Sequence, residues 1–190
     1  DHLEPKRLLL IGSVIIVLIS GILFSINFSK QVSLARSSFE IENQIKKLNI
    51  FYKNYLDLVS EKQRFQLRVE PENKSNFELL KRSLDSQMDT LYQLDQFSEE
   101  FRLFEETYSS RIAQVERQMG YFEEFPADSA QSKIASEWPQ IQNLSSQVAN
   151  SYQGLLEGLI LESQQTKSQY FEMTRFNSFY FIISVILLIT

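Results

Sequence analysis

Few side chains in this sequence have the type and spacing to do bond chemistry. The sole histidine, His2, stands in a short tail before an apolar run, and there is no cysteine. A transition-metal site would therefore rest on carboxylates alone, and no suitable spacing stands out. The acids occur instead as neighbours, Glu99-Glu100, Glu105-Glu106 and Glu123-Glu124, and read as solvated helix faces rather than an acid–base pair. There is no glycine-rich phosphate loop and no nucleophile elbow. Catalytic residues, metal site and cofactor are accordingly assigned as none, and the segment is not expected to be an enzyme. One charged group is better placed. Glu61 and Arg64 lie one helical turn apart and can pair on one face, a surface or inter-helix ion pair of about a few tenths of a kcal/mol. Arg64, with Arg68 and Arg82, could instead form an anion or dimer contact, because guanidinium forks suit anions. The structural pair is the favoured reading.

These residues are carried between two apolar runs. Leu8 to Ser29 contains no charged residue and meets the roughly 20 residues needed to cross a bilayer core. A second run, Asn177 to Thr190, is apolar but shorter, so the chain is expected to be a fragment with a second passage cut at its end. Lys6 and Arg7 precede the first run and place the N-terminus in the cytoplasm by the positive-inside rule. The first run is longer than a signal-peptide core and no small-x-small site follows closely, so it reads as an uncleaved anchor. The expected organisation is a cytoplasmic tail (1–7), a first transmembrane helix (8–29), an extracytoplasmic domain (30–175) and a truncated second transmembrane helix (176–190). The net charge of −5 makes nucleic acid an unexpected partner. Without cysteine, the outer domain must hold by packing alone.

Glycine and proline are scarce between the runs, and apolar residues recur at alternating three and four. The stripes are Ile41, Ile45, Leu48, Tyr52 (beside Phe51), Tyr55, Leu58 and Phe65; Phe77, Leu80, Leu84, Met88, Leu91 and Leu94; Phe101, Phe104, Tyr108, Ile112, Val115, Met119 and Phe122; and Ile141, Leu144, Val148, Tyr152, Leu155 and Leu159. Each is one buried face of an amphipathic helix. Breaks are expected at Glu70-Pro71, near Asp95 to Ser98, and at Phe125-Pro126, with Asp128 or Ser129 as the following N-cap. Trp138-Pro139 should split off a last, long helix capped by Ser136, with Trp138 over the bundle end. The expected fold is all-α, an antiparallel four-helix bundle flanked by two transmembrane helices. The aromatics Phe51, Tyr55, Phe65, Phe101, Phe104 and Tyr108 are expected in its core.

The stretch Asp57-Leu58-Val59-Ser60-Glu61-Lys62-Gln63-Arg64-Phe65-Gln66-Leu67, followed by Glu70-Pro71-Glu72, Phe77 and a Leu-rich helix, resembles the CHASE3 sensor domain. That family shows an acidic residue, then Gln-Arg-Gly-Tyr-Leu, then an acidic-Pro turn. Glu61, Gln63, Arg64, Leu67 and Pro71 match; Phe65 and Gln66 stand where the family prefers Gly and Tyr. The likeness covers most of 30–175, and four-helix sensors of bacterial chemoreceptors share the architecture. It implies an outward-facing sensory module of a bacterial inner-membrane receptor, with its bundle periplasmic or extracellular. The implied output is a histidine kinase, a diguanylate cyclase or a chemoreceptor signalling domain. The expected partners are the lipid bilayer, a second copy in a homodimer, and a partner protein or small molecule as stimulus. The alternative from another class is a two-pass, membrane-anchored helical scaffold that binds a partner and has no enzymatic output.

Overall fold

The computed structural model of the protein describes residues 5–67, 71–91, 94 and 98–189. Among these the chain is helical and contains no strand, so its class is all-α. Five helices follow in order: α1 (Pro5–Leu67), α2 (Pro71–Leu91), α3 (Ser98–Glu124), α4 (Ala127–Ser136) and α5 (Trp138–Ile189). Proline placement explains the division. Pro5 and Pro71 open α1 and α2, Pro126 precedes α4 with φ −55° and ψ 147°, and Pro139 is the second residue of α5. A helix leaves its first N–H groups unpaired, so proline costs least there. All four prolines in the chain therefore start helices and none interrupts one.

The caps differ from expectation. The N-cap of α4 is Pro126, without a side-chain hydrogen bond, and Asp128 lies inside the first turn. Pro126 holds an extended ψ and its carbonyl already accepts from the amides of Ser129 and Ala130, so no side chain is needed to begin the helix. Ser136 does not cap α5 either; its hydroxyl donates back to the carbonyl of Lys133 at 2.6 Å. The entry to α5 is made by Glu137, whose carbonyl accepts from Ile141 N–H. Trp138 is 54% exposed and covers no core.

The chain forms two compact units, Asp1–Glu42 with Leu161–Thr190, and Asn43–Ile160. In the second unit the stripes meet. Leu48, Phe51, Tyr55, Leu58 and Phe65 of α1 are buried, as are Phe77, Leu84, Met88 and Leu91 of α2, Phe101, Phe104, Tyr108, Ile112, Val115 and Met119 of α3, and Ile141, Val148, Leu155 and Leu159 of α5. Helix directions follow from which residues touch. Phe51 meets Phe104, and Phe65 meets Phe122, so α1 and α3 run the same way. Lys74 and Lys81 of α2 pair with Glu123 and Glu116 of α3, so α2 runs against α3. Thr107 and Arg111 of α3 bond to Ser151 and Ser145 of α5, so α5 also runs against α3. The rings of Tyr52 and Tyr152 stack at 3.8 Å between α1 and α5. Each fully buried apolar side chain contributes about 1.5–3 kcal/mol.

In the first unit, α1 and α5 run antiparallel, Gln31 lying against Thr174 and Glu42 against Lys167. Large apolar residues from Ile11 to Phe28 are exposed along α1, and from Phe176 to Ile186 along α5. Among the described residues α1 alone has a stretch long and apolar enough to cross a membrane, with mean hydropathy 2.3 and none of that stretch buried in protein. That is compatible with membrane association. Among the described residues the apolar end of α5 does not reach the same measure.

Phe104 is 0% exposed and its neighbour Leu103 50%. Phe104→Ala is expected to cost about 3–5 kcal/mol of stability, and Leu103→Ala less than about 0.5 kcal/mol. Denaturation of the full chain in detergent micelles, followed by helical circular dichroism, checks the contrast.

Candidate functional site

The residues singled out from the sequence occupy the end of α1 and the start of α2. Glu61 is buried while Gln63 and Arg64 are exposed. Arg64 folds back over its own helix and donates to Glu61 Oε1 at 2.5 Å, the expected pair one turn apart. The other carboxylate oxygen, Oε2, is buried and without a partner among the described residues. Glu61 lines a groove of about 370 Å3 with Asn76, Leu79 and Leu80 of α2. Leu67 ends α1 and Pro71 begins α2. Arg82 is exposed on α2 and bonds to neither Glu61 nor Arg64 among the described residues. Arg68 lies outside the described residues.

A second group, not singled out from the sequence, lies in the core of the same unit. Lys62 of α1 is 4% exposed and Arg111 of α3 2%. Each falls beside an apolar stripe and is carried inward with it. The Lys62 ammonium donates to Gln118 Oε1 at 2.5 Å. Gln118 Nε2 donates to Glu137 Oε2 at 3.1 Å, and the Tyr121 hydroxyl donates to Glu137 Oε1 at 2.6 Å. This chain of bonds ties α1, α3 and the α4–α5 junction together. Arg111 donates from Nε to Ser145 Oγ at 3.1 Å and from Nη1 to Gln114 Oε1 at 3.0 Å, with the Tyr55 hydroxyl beside it. Among the described residues neither cation has a carboxylate within ion-pair distance. Among the described residues Gln114 Nε2 and the Tyr108 hydroxyl are buried without partners.

Two cations held by neutral acceptors in a low-dielectric core are electrostatically costly. Burial, then the charge of Arg111, pushes the Lys62 ammonium down to about 8, with Glu137 pulling the other way. Burial likewise lowers Arg111. Burial tends to raise the Glu137 carboxyl, but the bonds from Tyr121 and Gln118 and the charge of Arg117 hold it below the usual range. The arrangement holds two cations in the core through neutral acceptors.

A third polar group joins α1 to α5 in the first unit. Gln31 Nε2 donates to Thr174 Oγ1 at 2.7 Å, and Asn177 Nδ2 donates to Gln31 Oε1 at 2.9 Å. Asn177 is 7% exposed, with Oδ1 unpartnered among the described residues. Lys167 pairs with Glu42 at 2.7 Å farther along the same seam. One sequence signal pointed inward: the first stripe skips from Leu58 to Phe65, and the missing turn holds Glu61 and Lys62. Arg111 and Gln118 gave none, because Ile112 and Met119 beside them complete the third stripe.

The Lys62 assignment has a pH signature. An unfolded lysine keeps its proton to about 10.4, so above about 8 the unfolded chain binds more protons and stability rises with pH. Burial raises Tyr55 and Tyr108, which oppose the gain above the ordinary tyrosine value of 10.0. Denaturant titrations of the full chain in micelles should gain about 1–2 kcal/mol between pH 8 and pH 10. In Lys62→Met that slope should vanish, while stability at pH 7 changes by less than about 2 kcal/mol, since losing a buried charge offsets an unpaired Gln118. An unchanged slope in the variant would assign the titration to another group.

No protein-family model, no curated protein and no solved structure matches this chain.

Proposed function

We propose that the chain is the sensory input region of a bacterial transmembrane receptor, in which movement of α1 and α5 is passed through the inner membrane to a cytoplasmic output domain, a histidine kinase in the first instance. In this reading α1, α2, α3 and α5 make an antiparallel four-helix bundle with α4 as a short insert. Residues 8–29 and 176–190 are its two membrane passages, and the bundle is periplasmic or extracellular. The segment itself is not catalytic.

The observation that carries the reading is the continuity of two helices. α1 and α5 each belong to both compact units without a break, so displacement at one end of either helix has a backbone path to the other. The seam between them supports it further. Amide and hydroxyl groups such as Gln31, Thr174 and Asn177 can exchange partners after a shift of ~1–2 Å, the scale of known helix-shift switches. The polar layer around Lys62 and Arg111 acts in the same direction. Its unpaired donors narrow the free-energy gap to any packing that satisfies them better, and a stimulus acts only through such a difference. A homodimer would double the helices at the membrane and matches the resemblance to CHASE3.

The test is a chimaera of residues 1–190 placed ahead of the cytoplasmic part of a sensor kinase. Insertions within 162–175, lengthened one residue at a time, should modulate autophosphorylation with a period of about 3.6 residues in insertion length. Gln31→Leu or Asn177→Leu should shift output about threefold, as loss of one interhelical bond near the membrane would. Output indifferent to every insertion would leave the anchored scaffold.

A further inference from the structure

The first unit contains a groove that the Gln31–Thr174–Asn177 seam leaves open. Its volume is about 510 Å3, and Lys30 and Leu34 of α1 face Glu172, Met173 and Phe176 of α5 across it. Lys30 is the first charged residue after the apolar run of α1, and Phe176 opens the apolar end of α5. Lys30 and Glu172 are both exposed and, among the described residues, make no ion pair with each other or with a third group. One groove thus presents a cation, a carboxylate and an apolar wall where charged sequence gives way to apolar sequence.

We propose that this groove holds the headgroup of an aminophospholipid. Lys30 lies against the phosphate, Glu172 accepts hydrogen bonds from the primary ammonium, Leu34 and Met173 flank the carbons between phosphate and ammonium, and Phe176, nearest the apolar runs, contacts the first acyl methylenes. The choice of lipid follows from the charges. An anionic headgroup meets Lys30 but is repelled by Glu172. A choline headgroup is zwitterionic, yet its quaternary nitrogen has no N–H to donate. Only a phosphate followed by a primary amine satisfies both walls, and lipid is the species concentrated at the edge of an apolar helix. The inference rests on the membrane reading of the apolar run.

The experiment uses the full chain in vesicles of equal phosphatidylethanolamine, phosphatidylcholine and phosphatidylglycerol, extracted gently and weighed with its retained lipid by native mass spectrometry. The wild type should retain phosphatidylethanolamine about fivefold over phosphatidylcholine, the ratio expected of one exposed charged contact. Glu172→Gln should abolish that preference, and Lys30→Gln should weaken retention of all three lipids about fivefold. Equal retention by the wild type, or a preference that survives Glu172→Gln, overturns the proposal. Cross-linking of Ser33→Cys between two copies, at a level unaffected by lipid composition, would place a second copy in the groove and overturn it as well. Alkaline washing of the vesicles separates the two levels. A chain that washes off fails the membrane reading itself; a chain that stays without lipid preference fails only the headgroup site.

Discussion

The second unit depends on the contact of Phe51 in α1 with Phe104 and Tyr108 in α3, at centroid distances of 5.7 and 5.0 Å in edge-to-face geometry. Such pairs stabilise by about 0.5–1.5 kcal/mol beyond their buried area. Their larger effect is on register. With Phe51 fixed between two aromatics of α3, the helices cannot slide by a turn without losing the whole ladder down to Phe65 and Phe122. That register brings Lys62 onto Gln118 and, through it, onto Glu137 at the entry to α5. Apolar packing chooses the alignment, and the polar layer is what the alignment brings into the core.

The polar layer is expensive for what it holds. A core of matching size lined only by leucine and phenylalanine would avoid desolvating Lys62 and Arg111. Stability alone therefore does not account for these residues. The membrane-proximal seam repeats the theme with neutral groups, where Gln31 bridges Thr174 and Asn177. In both units polar side chains bond helix to helix beside the apolar contacts.

Phe65 is buried and packs edge-on against Phe122 at 6.2 Å, so its bulk is used as core. Gln66 is less well accommodated, its Nε2 being buried without a partner among the described residues. Glu61 and Arg64 pair with each other on one turn, a local contact that needs no ligand.

The helices, their breaks at prolines and most of their buried faces were legible in the sequence, because 3.6-residue periodicity and proline chemistry are local properties. So was the Glu61–Arg64 pair, which requires only one turn of helix. The caps of α4 and α5 were misread, because Pro126 and Glu137 satisfy the chain through backbone carbonyls, which leave no side-chain signature. The inward placement of Arg111 and Gln118 was also out of reach. Whether a polar residue beside a stripe faces water or a neighbouring helix depends on the rotation of helices about their axes, and only tertiary packing sets that. Lys30 and Glu172, far apart in the chain, became two walls of one groove for the same reason.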